Sequence, residues 1–412
     1  MTAQPHCRSC RAPLASVFAD LGLSPISNAF PRAGAAGAGE RIYPLKAMVC
    51  DACFLVQIED VAGREAHFND DYAYFSSFSA DWLDHARRYA AMAVERFALG
   101  ARSNVVEIAS NDGYLLRHFV ERSIPCLGVD PAGNCAAAAR AHGVETEVGF
   151  FGAELAAKLA GQGRKADLII ANNVLAHVPD LDDFTAGFAA LLKPEGTISF
   201  EFPHLLNLLA GRQFDTIYHE HYSYLSLLAL TPLFARHGLG AYDVETLPTH
   251  GGSLRLFVGH AAQGRPASAA LQALARREDQ AGLTRPETYR AFNEAARAAK
   301  RALLTCLIGL KEKGAKICAY GAPAKGTTLL NYCGIGTDFI DFTVDRNPEK
   351  QGRLIPGTGI AILAPEAILK AKPDYVLILP WNLRDEIMAD TAYIRDWGGR
   401  FIVPIPEARI VA

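Results

Sequence analysis

The 412-residue sequence predicts an α/β protein with a Rossmann-like core, an N-terminal zinc-ribbon-like module and a smaller C-terminal Rossmann-like α/β domain. Three observations predict this fold. Two Cys-x-x-Cys pairs lie near the N-terminus, buried strand patterns alternate with helical patterns from residue 104, and a second alternation begins near residue 316. Because the chain is long for one domain, we expect domains at 1–68, 69–265 and 266–412.

Composition excludes several classes of partner. The net charge is −3, so we expect no basic surface for nucleic acid or for an anionic membrane. No apolar run reaches the length of a membrane span, and the N-terminus lacks the apolar core of a signal peptide. We therefore expect a cytoplasmic protein. A monomer is compatible with the sequence, which does not determine the oligomeric state.

Four of the nine cysteines form the pairs Cys7-Arg-Ser-Cys10 and Cys50-Asp-Ala-Cys53. Two such pairs supply the four thiolates of a tetrahedral zinc site, which is closed and therefore structural. The alternatives are a redox pair or four unrelated thiols. The other five cysteines are scattered and do not indicate a disulfide framework.

The first strand of the core, 104–109, runs into the turn Ser110-Asn-Asp-Gly113, and the next strand ends in Asp130. This layout is typical of nucleotide binding, with the acid holding ribose hydroxyls. A dinucleotide site needs Gly-x-Gly-x-x-Gly for the pyrophosphate, whereas here the turn has one glycine and two nearby acids. We therefore predict S-adenosylmethionine, with Glu107 facing its cationic methionine end.

The residues predicted to bind this donor follow the ends of the core strands or lie in the hydroxyl-rich segment 68–79. That segment is either an active-site lid or a lead-in to the amphipathic helix that begins near residue 81. The predicted set comprises Glu107, Ala109, Ser110, Asn111, Asp112, Gly113, Asp130, Pro131, Asn172, Asn173, Ser77 and Ser79.

The sequence Tyr218-His-Glu-His-Tyr222 follows the strand 197–202 and carries the most suggestive chemistry. Histidine exchanges protons near neutrality, a neighbouring carboxylate can orient it, and tyrosine hydroxyls can hold an enolate oxygen. We predict proton abstraction beside a carbonyl. A polar loop or a metal site is the alternative, and spacing alone does not separate His219 from His221. His177 follows another core strand at the same edge.

Residues of the closing hairpin and of the C-terminal domain are predicted to bind substrate. The hairpin pairs 241–245 with 253–259, although a plain turn also explains its glycines. The strand ends of the last domain can bind the diphosphate of an activated substrate. The predicted set comprises His250, Ser253, Arg255, Tyr320, Gly321, Lys325, Arg346, Trp381 and Asn382.

Several motifs together resemble those of S-adenosylmethionine-dependent C-methyltransferases that act on nucleotide-linked keto-deoxysugars in antibiotic pathways. These motifs are Val-Glu-Ile-x-Ser-Asn-Asp-Gly, Asn-Asn-Val-x-Ala-His, Tyr-His-Glu-His-Tyr, Gly-Gly-Ser-Leu-Arg, Tyr-Gly-Ala-x-Ala-Lys-Gly and Asp-Arg-Asn-Pro-x-Lys-x-Gly. The resemblance implies a zinc module, a class I methyltransferase core and a C-terminal domain that helps enclose the sugar nucleotide. Ala109 departs from the glycine usual in class I methyltransferases.

The resemblance also implies a mechanism in which His221 removes a proton beside the ketone and the carbanion attacks the sulfonium methyl. Glu220 or His219 would orient the base, a tyrosine would hold the enolate oxygen, and His177 with the segment 72–79 would close the pocket. The predicted catalytic set is His221, Glu220, His219, Tyr218, Tyr222, Tyr72 and His177.

Two other classes of enzyme are compatible with the sequence. An NAD(P)-dependent sugar-nucleotide oxidoreductase or epimerase could use a similar sheet, although the missing phosphate glycines disfavour it. A methyltransferase acting on a non-sugar substrate such as RNA or protein is the other alternative, and the low basicity disfavours RNA.

Overall fold

The computed structural model describes residues 5–32, 40–61, 63, 75–78 and 80–412, and these residues form three sheets. The strands are β1 (Ser16–Pro25), β2 (Ile42–Val49), β3 (Val56–Ile58), β4 (Val105–Ile108), β5 (Cys126–Asp130), β6 (Thr146–Val148), β7 (Ala166–Asn172), β8 (Leu192–Pro203), β9 (Ser223–Tyr224), β10 (Leu239–Leu247), β11 (Ser253–His260), β12 (Ile317–Tyr320), β13 (Thr343–Val344), β14 (Ile362–Leu363), β15 (Tyr375–Ile378), β16 (Arg400–Val403) and β17 (Arg409–Val411). The α-helices are α1 (Ala80–Arg96), α2 (Arg117–Val120), α3 (Gly133–Ala141), α4 (Ala153–Gly161), α5 (Leu181–Leu191), α6 (Leu205–Ala210), α7 (Leu227–Arg236), α8 (Ala269–Gln280), α9 (Pro286–Lys311), α10 (Ala324–Cys333), α11 (Ala367–Ala371) and α12 (Arg384–Asp390).

The central sheet has the strand order β10-β11-β8-β7-β4-β5-β6. Strands β4 to β8 are parallel, while β11 runs antiparallel to β8 and β10 antiparallel to β11. Parallel strands covered by helices on both faces require continuous apolar runs, and all four residues of β4 are buried. The predicted Rossmann-like core and its closing antiparallel pair are therefore confirmed.

The tight turn predicted over 110–113 follows β4. Ala109, Asn111 and Gly113 all have left-handed backbones, with φ of 58°, 50° and 77°. The chain makes this tight reversal and further turns before it becomes helical, so α2 begins only at Arg117. A Cβ at Gly113 would come within 3.0 Å of the Val144 side chain, which explains the glycine.

The N-terminal sheet is antiparallel, in the order β1-β2-β3-β9. Its last strand, β9, comes from far along the chain, immediately after the His-Glu-His sequence. Val56 lies opposite Tyr224, and the Ile58 N–H donates to the Tyr222 carbonyl at 3.1 Å. The predicted catalytic segment is therefore attached to the N-terminal sheet, an arrangement that strand patterns did not predict.

Two equivalent turns bring the four predicted zinc ligands together at one edge of this sheet. The Arg11 N–H donates to the Cys7 carbonyl and the Phe54 N–H to the Cys50 carbonyl, both from left-handed residues. These turns leave the thiols of each Cys-x-x-Cys pair facing those of the other.

The four Sγ atoms fit a zinc ion. They lie within 4.8 Å of one another, and Cys7–Cys53 and Cys10–Cys50 are each 3.5 Å apart. Zn–S bonds of about 2.3 Å in a tetrahedron put sulfurs about 3.8 Å apart. Gln57 Nε2 donates to Cys7 Sγ at 3.2 Å, as expected beside a thiolate ligand. Four sulfurs close the coordination shell, so the site is structural.

The C-terminal sheet has the order β14-β13-β12-β15-β16-β17 and is parallel except for β17. It shares one hydrophobic core with the N-terminal sheet. The long helix α9 packs between them, and Phe292 stacks on Phe18 of β1 with ring centroids 4.5 Å apart. The first and last parts of the chain are thus packed together. The boundaries expected at 68/69 and 265/266 stay predictions.

Among the described residues, we find no helix whose length and hydropathy would let it cross a membrane.

Replacing Ala109 by glycine is expected to stabilise the protein. A left-handed backbone costs an L-residue about 1–2 kcal/mol, part of which is offset by the greater chain entropy of glycine. We expect the free energy of unfolding to rise by roughly 0.5–1 kcal/mol, measured by urea denaturation. Ala98→Gly is the matched control, since exposed Ala98 has φ 48° at the end of α1. A gain for Ala98→Gly but a loss for Ala109→Gly would show that the Ala109 methyl stabilises the turn.

Removal of zinc is expected to destabilise the N-terminal sheet. Elemental analysis should find one zinc per chain, and Cys10→Ser should lose it together with several degrees of Tm, because metal binding is coupled to folding. Cys306→Ser is the control, since Cys306 lies outside the cluster. Full zinc occupancy in Cys10→Ser would contradict the four-cysteine site.

Candidate functional site

A cavity of about 400 Å³ lies at the carboxyl ends of the central strands. Residues from all three sheets or their adjoining loops line it, among them Asn28, Ala109, His221 and Lys325. Ligands of open α/β sheets bind at this edge, because the strand-end loops converge there. Twelve of the 28 residues predicted to be catalytic or to bind donor or substrate line this cavity.

Asp130 anchors the turn after β4. Its two carboxylate oxygens accept the N–H groups of Asn111 at 2.8 Å and Ala132 at 2.9 Å. Burial raises the pKa of Asp130 to about 6, although these two hydrogen bonds oppose the rise. Asp130 and its neighbour Pro131 line the cavity, so the remaining lone pairs of this carboxylate can accept ribose hydroxyls.

The side chains of Asn172 and Asn173 enter the cavity from the end of β7. Asn172 Oδ1 is buried and accepts no hydrogen bond within the protein. Asn173 has φ 53°, and its N–H donates to the Glu201 carbonyl at 2.6 Å. A buried acceptor without a protein partner fits a ligand donor such as the ammonium of a methionine moiety.

Four of the predicted donor-binding residues shape the turn rather than line the cavity. The Glu107 side chain is fully enclosed, and burial raises its pKa well above the ordinary value while Tyr114 hydrogen-bonds it. Ser110 faces β5, where a Cβ on Gly128 would meet its Oγ at 2.3 Å. Asp112 and Gly113 complete the buried turn. Glu107 therefore acts beneath the turn, not at its surface.

The described part of the hydroxyl-rich segment docks onto this turn. The Ser76 N–H donates to Asn111 Oδ1 at 2.9 Å, and the Ser77 N–H donates to Asp112 Oδ2 at 3.2 Å. Ser76 lines the cavity, while Ser77 is half-buried beside it. Tyr72 and Ser79 lie outside the described residues.

His221 is the histidine of the motif that faces the cavity. Its Nδ1 donates to the Thr216 carbonyl at 3.1 Å, because a carbonyl can only accept. Nε2 therefore carries the lone pair and accepts the Tyr218 hydroxyl at 2.7 Å. Removal from solvent and the neighbouring His177, 4.6 Å away between ring centroids, lower the pKa of His221 well below its usual value. The ring is neutral and can accept a proton at Nε2.

Glu220 also lines the cavity, next to Asn28. Asn28 Nδ2 donates to both of its carboxylate oxygens, at 2.7 and 3.0 Å. Burial raises the pKa of Glu220 to about 7. Within the described part of the chain, the hydrogen bonds of Glu220 go to Asn28 and those of His221 to Tyr218 and Thr216. Glu220 is therefore a candidate ligand contact rather than the residue that orients His221.

His219 and Tyr222 point away from the cavity into the N-terminal sheet. His219 Nε2 donates to the Pro44 carbonyl at 3.2 Å, while the fully buried Tyr222 ring lies 5.2 Å from the Arg8 guanidinium. Sequence spacing did not separate His219 from His221. The structure does, because the His221 ring lines the cavity while the His219 ring lies against the N-terminal sheet.

Behind His250, Glu201 connects three elements. Its Oε2 accepts His85 Nε2 at 2.9 Å and Arg255 Nη2 at 2.8 Å, and its Oε1 accepts the Thr249 hydroxyl at 3.1 Å. Burial opposes ionisation, but the His85 and Arg255 contacts lower the pKa of Glu201 below its usual value. The carboxylate thus holds the turn that presents His250 to the cavity.

Ser253 and Arg255, predicted to bind substrate, are instead occupied inside the protein. The Ser253 hydroxyl donates to the Thr249 carbonyl at 2.9 Å, and Arg255 is paired with Glu201 and with Glu245. Both side chains are buried beneath the hairpin, since β11 lies between β8 and β10. Their role is to position the turn carrying His250.

The C-terminal sheet contributes two lysines to the cavity, Lys325 at the start of α10 and Lys350. Lys325 Nζ donates to Asn382 Oδ1 at 2.6 Å and lies 4.6 Å from the Trp381 ring centroid. Trp381 Nε1 donates to Asp215 Oδ2 at 2.6 Å. Trp381 and Asn382 thus lie behind Lys325 and hold it in place.

Three other predicted substrate residues of this domain do not line the cavity. Arg346 is exposed and paired with Glu386 and Asp390. Tyr320 hydrogen-bonds Arg346, and burial raises the pKa of Tyr320. Gly321, with φ 87°, is required by packing, because a Cβ would meet Pro380 Cδ at 2.7 Å.

Sequence reasoning missed several side chains of the cavity, among them Asn28, Ser76, Trp82, Tyr114 and Lys350. Lys350 lies in the quoted motif Asp-Arg-Asn-Pro-x-Lys-x-Gly, which could have identified it. Trp82 lies on the amphipathic helix α1, where an aromatic residue at helical spacing indicates core packing rather than a ligand contact. Asn28 had no local signal, since it lies in the insert between the two Cys-x-x-Cys pairs.

Comparison with known proteins places this chain among methyltransferases. Residues 7–68 match a family described as a zinc binding domain, residues 82–243 a methyltransferase domain, and residues 248–406 a C-methyltransferase C-terminal domain. The C-methyltransferase NovU of Streptomyces niveus is 37% identical over 374 residues, which cover 91% of this chain and 89% of NovU.

More distant similarities are confined to part of the chain. The ubiquinone biosynthesis O-methyltransferase of Bartonella bacilliformis is 31% identical over 93 residues, which cover 22% of this chain and 38% of that enzyme. The magnesium protoporphyrin IX methyltransferase of Synechocystis PCC 6803, solved with bound SAH, is 15% identical with a TM-score of 0.35, covering 43% of this chain and 82% of that structure.

The similarity to NovU extends over nearly the whole chain, and the donor turn, the buried Asn172 acceptor and the four-cysteine cluster fit S-adenosylmethionine and zinc. The protein is therefore an S-adenosylmethionine-dependent methyltransferase with a structural zinc site, and it belongs to the C-methyltransferase family.

Proposed function

We propose that this protein methylates a carbon beside the ketone of a nucleoside-diphosphate-linked keto-deoxysugar. The observation that carries the proposal is the shared cavity, in which two lysines and a neutral histidine border the same space as the donor turn. An activated sugar needs all three, namely an anion site, a base and a methyl donor.

When bound, S-adenosylmethionine supplies a methyl group on a sulfonium, which accepts the electron pair of an enolate carbon. Asp130 would accept its ribose hydroxyls, and Asn172 Oδ1 would accept its ammonium. The negative charge of Asp130 and Asp112 and the single glycine of the turn favour this cationic ligand over a pyrophosphate.

His221 is the proposed base. Its Nε2 is neutral and 2.7 Å from the Tyr218 hydroxyl, and its Nδ1–H is held by the Thr216 carbonyl. The proton from the sugar carbon would move to Nε2, while the Tyr218 hydroxyl turns its hydrogen toward the enolate oxygen. His177, packed against the imidazole, helps exclude water.

The diphosphate would lie between Lys325 and Lys350. Lys350 Nζ donates to the Ala322 carbonyl at 3.0 Å, which leaves further donors on its ammonium. The start of the ten-residue helix α10 borders the same space through Pro323 and Ala324 and adds partial positive charge. A small-molecule substrate agrees with the net charge of −3, which does not favour a nucleic acid. A cytoplasmic location and a monomeric state stay predictions.

His221→Asn is expected to lower kcat by about 10²–10⁴-fold while leaving donor binding unchanged, because proton transfer contributes that much. With the sugar nucleotide and S-adenosylhomocysteine in place of the methyl donor, the wild type should also exchange deuterium from solvent into the sugar carbon. His221→Asn should not. His219→Gln is the matched control and should keep turnover and exchange. Equal losses in both variants would contradict the assignment of His221.

A thermal-shift panel of TDP, UDP and GDP, each with S-adenosylhomocysteine, tests the nucleotide. A ligand at one hundred times its Kd stabilises by about 2.7 kcal/mol, so at least one nucleotide should raise Tm by several degrees. Lys325→Ala and Lys350→Ala should reduce the shift. Arg346→Ala is the control. If the shift is lost only in that variant, the nucleotide binds at the exposed loop that carries Arg346 and not between the two lysines.

A further inference from the structure

The loop that follows β1 lies between the two Cys-x-x-Cys pairs in the sequence. Hydrogen bonds hold it against the C-terminal domain. The Thr327 hydroxyl donates to the Ser27 carbonyl at 3.1 Å, and the Leu354 N–H donates to the Pro31 carbonyl at 2.9 Å. These contacts lie on both sides of Asn28. The position of the Asn28 side chain is therefore determined by the zinc module and the C-terminal domain together.

From this loop Asn28 reaches the cavity and meets Glu220. The two N–H bonds of its amide engage both oxygens of one carboxylate, at 2.7 and 3.0 Å. A carboxylate offers about four acceptor positions, so those turned away from Asn28 stay available to a ligand. Glu220 is only 4% exposed, so its oxygens can reach a ligand only within the cavity.

We propose that Asn28 is a positioning residue for the acceptor sugar. Its amide holds the Glu220 carboxylate in an orientation in which the remaining carboxylate lone pairs accept a sugar hydroxyl. The zinc module then forms one wall of the acceptor site in addition to stabilising the fold. This inference rests on the proposed function, because it needs a hydroxylated acceptor in the cavity.

The charges around Glu220 determine how it responds to pH. Burial raises its pKa to about 7, while the Asn28 amide and the Lys350 ammonium lower it. His221 is the next residue along its own segment, and it is neutral. Without the Asn28 donor, the carboxylate loses a partner that favours its ionised form, so the pKa of Glu220 rises further.

The sign of the stability effect follows from this shift. The folded-state pKa of Glu220 lies above the ordinary value of about 4.3, so ionisation of Glu220 destabilises the folded protein as pH rises toward 7. Loss of the Asn28 donor enlarges that destabilisation. The Tm deficit of an Asn28 variant should therefore be small near pH 5 and grow through pH 7.

The first experiment is a double-mutant cycle on the zinc-loaded full chain, without any acceptor. Tm is measured from pH 5.5 to 8.5 for wild type, Asn28→Ala, Glu220→Gln and the double variant. The deficit of Asn28→Ala should grow by about 1–3 °C over this range, and it should be constant when residue 220 is Gln. A deficit that does not depend on pH or on residue 220 overturns the proposal.

The second experiment measures kinetics with the keto-sugar nucleotide. Asn28→Ala should raise KM for the acceptor about tenfold, with kcat and the Kd of the donor nearly unchanged, because a hydrogen bond to a charged group is weakened. In Asn28→Ala, the acid limb of the pH profile of kcat/KM should move to higher pH. It should move further in Asn28→Asp, because that variant places a second carboxylate against Glu220.

Glu40→Ala is the matched control, since Glu40 Oε1 accepts the Gly357 N–H at 3.0 Å and joins the same two regions away from the cavity. It should leave KM and the acid limb unchanged. An unchanged KM in Asn28→Ala overturns the proposal even if the Tm coupling is found. If the wild-type protein turns over no keto-sugar nucleotide, the proposed function itself is wrong. That result is distinct from the outcomes above, and it also overturns the role proposed for Asn28.

Discussion

The shape of the segment from Phe214 to Tyr224 depends on contacts with the C-terminal domain and with the N-terminal sheet. Its start is held by the Trp381 indole on Asp215, its middle by the Thr328 hydroxyl on the Ile217 carbonyl, and its end by the pairing of β9 with β3. The segment between has little regular structure, so tertiary hydrogen bonds take the place of a helix or strand ladder. The orientation of His221 therefore depends on the packing of the N-terminal and C-terminal sheets around the core.

Removal of water controls the charges in and around the cavity. Burial raises the pKa of Glu220 to about 7 and those of Asp215 and Asp130 to about 6, and it lowers the pKa of His221 and of Lys325. A neutral His221 imidazole suits the proposed proton abstraction at neutral pH. A carboxyl group that titrates near 7 can respond to the ligand beside it, because a bound hydroxyl donor favours the ionised form.

The core strands and the zinc cluster could be predicted because each leaves a local pattern in the sequence. Buried parallel strands need continuous apolar runs, and a tetrahedral zinc site needs closely spaced cysteines. The roles of individual side chains were harder to predict. Arg255 and Ser253 have the chemistry of ligand contacts, but β11 is an inner strand, so their polar groups bind Glu201 and the Thr249 carbonyl instead.

The sequence by itself determined the α/β class of the protein, the ligands of its zinc site, the donor turn and the segment that carries the proposed base. Only the tertiary structure decided that His221 rather than His219 faces the cavity, and that Asn28 and Lys350 join it there. The physical reason is the range of the interactions. Periodicity and motif spacing reflect local backbone geometry, whereas the cavity forms where residues more than a hundred positions apart in the chain pack together.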